Sequence, residues 1–130
     1  MTISQLARRA RVGIETIRFY EREGLLVQPR KPPQGYRQYT EEYVGRVRFI
    51  KQCQAFGFTL NEARELLRML ERGEADCAPA CDLARRKIGE LERRISEDKA
   101  LLERLTALLD KPCRSQKSAD CAVMETLRAS

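Results

Sequence analysis

Five cysteines and the complete absence of histidine define the metal chemistry that is open to this sequence. Without histidine, the commonest general base and the Ser–His and Cys–His pairs of nucleophilic enzymes are missing. Any metal held by side chains must bind thiolates or carboxylates, and soft thiolates select soft or borderline ions. Because we also find no nucleophile–base constellation and no phosphate-cradling loop, we do not expect an enzyme.

Two of the cysteines enclose a polar loop near the C-terminal end of the sequence. Cys113 and Cys121 are separated by seven residues rich in Ser, Lys and Asp, which makes them a plausible chelating pair. Cys77 precedes a long predicted helix whose far end is close to Cys113, so at about 1.5 Å per residue the two lie more than about 40 Å apart. In an antiparallel dimer, Cys77 of one chain would instead meet Cys113 and Cys121 of the other.

The remaining two cysteines lie within predicted helices. Cys81 occupies a heptad position of the long helix, where it is either a small core residue or a fourth thiolate one turn from Cys77. Cys53 follows the apolar face of an earlier helix, and we interpret it as a core residue.

Charge is distributed unevenly along the sequence. The formal net charge is +6, from 25 Lys and Arg against 19 Asp and Glu, and the whole excess falls within residues 1–58. A basic module followed by a neutral one is typical of a nucleic-acid-binding domain joined to another function. The alternative is a basic, solvated surface with no such partner.

The first elements predict a helix-turn-helix. Ile3, Leu6, Ala7 and Ala10 fall at helical spacing, a turn follows at Val12-Gly13, and residues 14–22 form a second helix that Gly24 ends. Side chains of the second helix that could reach DNA are Glu15, Thr16, Arg18 and Tyr20.

Residues 27–40 cannot be helical because they contain three prolines and Gly35. This basic, aromatic segment predicts a β-hairpin wing, with Arg37 at a phosphate or in the minor groove and tyrosine hydroxyls on phosphates. Tyr36 and Tyr39 could also pack against the helices, or one could pack while the other binds.

Three further helices are predicted after the wing. The first begins near Thr40 and ends at Gly57, and the second begins at a capping box formed by Thr59 and Glu62 and ends at Gly73. The third is long and ends at Pro112. Its heptad pattern, interrupted by Asp98, needs a second helix to cover it and predicts a homodimer through Ile88, Leu91, Ile95, Leu102, Leu105 and Leu109. After the loop, Val123, Met124 and Leu127 are expected to pack a short turn back onto the body.

The predicted fold is mainly α, in four segments. Residues 1–72 form a winged helix-turn-helix domain with connecting helices, 73–80 a linker carrying a metal ligand, 81–111 the dimerisation helix, and 112–130 a metal-binding loop with a C-terminal turn. No apolar run is long enough for a membrane span and no signal-peptide core is present, so we expect a cytoplasmic protein with no membrane partner.

In sequence order, these features resemble the MerR family of bacterial transcription regulators. The resemblance is carried by ETIRFYEREGLL (15–26), GYRQYT (35–40), FIKQCQAFGFTLNEARELL (49–67), the long helix and the C-x7-C loop. It implies an antiparallel coiled-coil dimer that binds promoter DNA with an over-long spacer, with contacts from Thr16, Arg18, Tyr20, Tyr36, Arg37 and Tyr39. It also implies that effector binding bends and untwists that DNA so that RNA polymerase engages both promoter elements.

The resemblance further indicates the effector. Mercury-sensing members use three cysteines that correspond to Cys77, Cys113 and Cys121, whereas copper sensors place serine at the first of these positions. Hg(II) is therefore the first choice, although a loop one residue shorter than the usual mercury pattern keeps Cd(II), Pb(II) and Zn(II) open, followed by a monovalent ion such as Cu(I). The predicted function is a mercury-responsive activator and repressor of a resistance operon. Alternatives are a metal scavenger or chaperone and a constitutive architectural DNA-binding protein.

Overall fold

A computed structural model of the chain describes residues 1–73, 76–111, 117 and 121–129. Within these ranges the chain is helical, and it forms no β-strand. The helices are α1 (Ile3–Ala10), α2 (Ile14–Arg22), α3 (Glu41–Ala55), α4 (Leu60–Arg72), α5 (Ala78–Leu109) and α6 (Ala122–Arg128). The mainly α architecture predicted from the sequence is confirmed.

Local capping chemistry sets several helix ends. Thr59 Oγ1 accepts a hydrogen bond from the Glu62 amide at 3.1 Å, and Glu62 Oε1 accepts one from the Thr59 amide at 2.8 Å. The predicted capping box of α4 is thus confirmed, and a second one, formed by Thr2 and Gln5, starts α1. Gly73 ends α4 in the left-handed conformation, which glycine adopts without steric cost.

The chain divides into two compact units, Met1–Ala84 and Arg85–Ser130, and α5 runs through the boundary between them. In the first unit α1 packs against α2 and α3, and α3 packs against α4. These helices enclose a hydrophobic core whose largest fully buried side chains are Leu6, Ile17, Tyr20, Val47 and Ile50. This core gives α1 and α2 a fixed support.

The wing segment (residues 27–40) differs from the prediction. No strand forms in it, so the β-hairpin is wrong and the segment is an irregular loop. Pro29, Pro32 and Pro33 have no amide hydrogen to donate to a ladder. The loop is held at its end by the N-terminus instead, because the Tyr39 amide donates to the Met1 carbonyl at 2.7 Å and the Met1 ammonium donates to the Tyr39 carbonyl at 2.9 Å.

In the second unit the apolar side chains of α5 are largely outside any core. The seam predicted from the heptads is exposed, with fractional exposures from 37% to 77% at Ile88, Leu91, Ile95, Leu102, Leu105 and Leu109. In α6 Ala122 is buried and Val123 is half-buried. Met124 and Leu127 are more exposed than predicted, although Leu127 lines a cavity together with Leu101 and Leu105 of α5. None of the helices that the structure describes is long and apolar enough to cross a membrane.

Candidate DNA interface and thiol site

The turn between α1 and α2 depends on one unusual backbone conformation. Arg11 is left-handed, with φ 59° and ψ 44°, and the Val12 amide donates back to the Ala7 carbonyl at 3.0 Å. Gly13 then takes the extended conformation that precedes α2. The sharp change of direction orients α2 so that Ile17 and Tyr20 enter the core while Arg18 stays exposed.

A groove of about 480 Å³ brings the exposed face of α2 together with the wing segment. Arg18 contributes from α2, and Tyr36 and Arg37 contribute from the wing. Lys31 also lines this groove, although we did not single it out from the sequence; its place in the basic wing segment was the available signal. Three cations and two tyrosines line this groove with one carboxylate, Glu21, and the excess of positive charge suits a polyanionic ligand.

The two wing tyrosines have different environments. Tyr36 is 77% exposed, whereas Tyr39 is only 3% exposed, and its hydroxyl donates to Glu21 Oε2 at 3.0 Å. Burial, followed by the neighbouring Glu21 carboxylate, raises the pKa of Tyr39 to about 12. The structure therefore supports the option in which one tyrosine packs and the other remains accessible.

Two other candidate contacts also have structural partners. Tyr20 is buried and its hydroxyl donates to Gln54 Oε1 at 2.6 Å, which ties α2 to α3. The Arg37 Nε donates to the Pro29 carbonyl at 2.9 Å, so this side chain braces the wing from within while it lines the groove. Thr16 is half-buried on α2.

Several basic side chains of the first unit form contacts within the fold. Arg48 donates to the Arg9 carbonyl at 2.6 Å and Lys51 donates to the Arg11 carbonyl at 2.8 Å, so two α3 cations cap the end of α1. Arg9 itself pairs with Glu41 and lowers the pKa of that carboxyl. No hydrogen bond or ion pair engages the Arg18 side chain among the residues that the structure describes.

The structure brings two cysteine thiols together at the start of α5. Cys77 directly precedes the helix and is exposed, and Cys81 lies in its first turn and is half-buried. The Cys81 amide donates to the Cys77 carbonyl at 2.9 Å, and the two sulfur atoms are 3.7 Å apart. Cys121 directly precedes α6 and is half-buried, whereas Cys113 lies outside the described residues.

Cys53 on α3 is buried in the first unit, and burial raises the pKa of its thiol. Within the described ranges, no three Cys, Asp or Glu side chains come close enough together to hold a metal ion. The described thiols thus provide a pair of potential ligands, and the proposed set of Cys77, Cys113 and Cys121 stays a prediction.

Comparison with known proteins identifies the family. Residues 1–70 match the family model of the MerR HTH family of regulatory proteins, and residues 44–108 match the MerR DNA-binding model. The chain belongs to the MerR family.

Relatives of this MerR-family chain match it along nearly its whole length. A mercuric resistance operon regulatory protein of Bacillus cereus is 41% identical over 126 residues, which cover 96% of this chain and 95% of the relative. Among solved structures, PbrR691 of Ralstonia metallidurans CH34 in complex with lead(II) aligns with a TM-score of 0.87 at 32% identity and 98% coverage of both chains. MerR of Bacillus megaterium MB1 in complex with mercury(II) aligns with a TM-score of 0.71 at 36% identity, covering 98% of this chain and 99% of that one.

These relatives confirm that the chain is a transcription regulator rather than an enzyme. They also support a metal ion as the effector class, because the similar proteins include a mercuric resistance regulator and regulators solved with lead(II) and mercury(II).

Proposed function

We propose that this MerR-family regulator acts as a homodimer that represses a metal-resistance promoter without metal and activates it when Hg(II) binds its thiolates. The observation that carries the proposal is the exposed Cys77 thiol at the start of α5, in a chain that is 41% identical to a mercuric resistance regulator. Thiolates are the ligands that soft ions prefer, and this chain has no histidine to offer instead.

In this proposal the exposed seam of α5 is covered by the α5 helix of a second copy, running antiparallel. Cys77 of one chain then meets Cys113 and Cys121 of the other, giving three thiolates for one Hg(II) ion. Cd(II), Pb(II) and Zn(II) are the alternative effectors. Cu(I) ranks below them because two thiolates suffice for a linear monovalent ion and Cys77 adds a third.

The groove between α2 and the wing segment contacts the promoter in this proposal. Arg18 and Lys31 provide charge for phosphate or base contacts, and the exposed Tyr36 offers a hydroxyl to phosphate. The buried Tyr20 and Tyr39 contribute by fixing α2 and the wing, through their hydroxyl contacts with Gln54 and Glu21. Metal binding changes how the dimer deforms the promoter, and RNA polymerase responds to that deformation.

The test is transcription from promoter DNA that the reduced protein itself selects from a library of genomic fragments, titrated with Hg(II), Cd(II), Pb(II), Zn(II) and Cu(I). We expect Hg(II) to activate at the lowest concentration. The Cys77→Ser variant should still bind the promoter without metal but lose activation by Hg(II), whereas Cys81→Ser should keep it. Equal Hg(II) activation in Cys77→Ser would overturn the thiolate assignment.

The same DNA distinguishes a metal scavenger or chaperone from a regulator. Several phosphate contacts predict that promoter affinity falls steeply with salt concentration, and Arg18→Ala should weaken binding and reduce the slope by about one unit. A protein that binds metal but shows no salt-dependent promoter binding would be a scavenger. A DNA bend that is the same with and without every metal tested would instead indicate an architectural protein.

A further inference from the structure

We propose that Cys77 and Cys81 form a two-thiolate chelate, within a single chain, for a four-coordinate divalent ion such as Zn(II). The pair is built entirely from described residues at the start of α5. It rests on the proposed function only in that Cys77 serves both this chelate and the three-thiolate site across the dimer.

Helix geometry brings the two sulfur atoms together. Cys77 is the last residue before α5, and the 2.9 Å hydrogen bond from the Cys81 amide to the Cys77 carbonyl sets the two residues one turn apart. Residues four apart lie on the same face of a helix. Pro79 stands between them in the first turn, where its missing amide hydrogen costs nothing and its ring restricts the backbone.

The distance between the two sulfur atoms matches a tetrahedral metal. With metal–sulfur bonds of about 2.3 Å, a tetrahedral ion holds two sulfur ligands about 3.8 Å apart, a trigonal ion about 4.0 Å and a linear ion about 4.6 Å. The observed separation is 3.7 Å. This is also the distance of a thiol–thiol contact, so the pair is close enough for both sulfur atoms to bind one tetrahedral ion with little movement, whereas it would have to open for a linear two-thiolate ion.

The location of the pair also favours a bound ion. Cys77 is exposed, which gives a metal direct access, and the N-terminal end of a helix stabilises negatively charged ligands. On binding, each thiol forms a metal–sulfur bond and releases its proton to solvent. Since no third Cys, Asp or Glu joins the pair among the described residues, water or other thiolates complete the coordination.

The experiment uses the full chain with Cys113→Ser and Cys121→Ser, so that only Cys53, Cys77 and Cys81 remain. Zn(II) is titrated while the alkylation rate of each thiol is followed by mass spectrometry, and Co(II) is used as a spectroscopic substitute. We expect Zn(II) to slow alkylation of Cys77 and Cys81 together by at least about tenfold, because the second thiolate acts at high effective concentration. Cys53 should be unaffected, and Co(II) should give the visible spectrum of a tetrahedral site.

Two further variants in the same background provide the controls. Cys81→Ser should weaken Zn(II) binding at least about tenfold. Cys81→Ser combined with Asp82→Cys keeps the number of thiols but places the second about 140° away from Cys77 around the helix, so it should not restore binding. Circular dichroism establishes that both variants are folded.

Equal protection of Cys77 in Cys81→Ser, equal affinity in the displaced-thiol variant, or an octahedral Co(II) spectrum would overturn the chelate. These readouts do not depend on transcription. If paired protection holds while no metal switches the promoter, the proposed function fails and the chelate stands. If Hg(II) switches the promoter while the pair gives no joint protection, the chelate fails and the regulator stands.

Discussion

The two units of this chain treat their apolar side chains in opposite ways. The unit formed by Met1–Ala84 buries Leu6, Ile17, Val47 and Ile50 almost completely in a core of its own. The unit formed by Arg85–Ser130 leaves the α5 seam exposed, including Ile95 and Leu102. The first unit therefore has a core of its own, although Phe56 and Leu70 remain exposed in it, whereas the seam of the second unit has the heptad spacing that suits packing against another helix.

The largest effect should come from a charge placed in the seam. Ile95→Glu introduces one carboxylate per chain where the proposed dimer buries an isoleucine, and each lost side chain contributes about 1.5–3 kcal/mol. Since both copies are changed, we expect the dimer dissociation constant to rise by at least about 100-fold. Sedimentation equilibrium measures it.

Ser96→Glu is the matched control, because the neighbouring position adds the same charge outside the heptad pattern. The control should leave the dissociation constant within about twofold. If Ile95→Glu and Ser96→Glu behave alike, the seam is not the dimer interface and the contrast between the two units has another cause.

The second prediction tests the self-sufficient core of the first unit. Ile50 is fully buried on α3, so Ile50→Ala removes packed methylene groups and leaves a cavity. We expect the free energy of unfolding to fall by about 2–5 kcal/mol in urea titrations. That loss should be the same at low and high protein concentration, whereas the effect of Ile95→Glu should depend on concentration. A concentration-dependent loss in Ile50→Ala would break the distinction between the two units.

A third prediction concerns the tyrosine that anchors the wing to this core. The pKa of Tyr39 is raised from 10.0 to about 12, so the protonated hydroxyl stabilises the fold fully below pH 10 and this contribution is lost as the pH rises towards 12. Tyr39→Phe should lower stability at pH 8 by about 1 kcal/mol, because Glu21 loses its hydrogen bond. The decline of stability between pH 10 and 12 should also become shallower.

Tyr36→Phe provides the comparison for that titration, since the Tyr36 side chain is exposed. Its stability at pH 8 should match that of the unmodified chain. The anchoring role of Tyr39 would be refuted by equal stability of the two phenylalanine variants at pH 8.

Sequence patterns predicted best what depends on neighbouring residues. The bounds of α2 and the capping box of Thr59 and Glu62 involve contacts within one helix or turn, and both were confirmed. The start of α5 also depends on neighbouring residues, but its position was not predicted correctly. The sequence predicted that this helix begins at Cys81, but it begins at Ala78. Asp76 Oδ1 accepts a hydrogen bond from the Ala78 amide at 2.9 Å, and Pro79 is compatible with the first turn of a helix.

Features that depend on contacts between residues far apart in the chain could not be predicted from sequence patterns. The end of the wing segment is held by hydrogen bonds with Met1, 38 positions away, and no local pattern in the segment indicated that contact. Which tyrosines pack is decided by Glu21 for Tyr39 and by Gln54, on another helix, for Tyr20. For the candidate site, the one-turn spacing of Cys77 and Cys81 was predictable, whereas their sulfur separation depends on side-chain rotamers that no spacing rule specifies.

The smallest predicted effect compares two threonines that precede helices of the first unit. Thr59 caps α4 with its side chain, whereas Thr40 precedes α3 without any side-chain capping bond. Thr59→Ala should therefore lower the free energy of unfolding by about 1 kcal/mol, and Thr40→Ala by no more than a few tenths. Urea titrations at one protein concentration measure both. Equal losses would show that the backbone conformation before the helix, rather than the observed hydrogen bonds with Glu62, determines how much these threonines stabilise their helices.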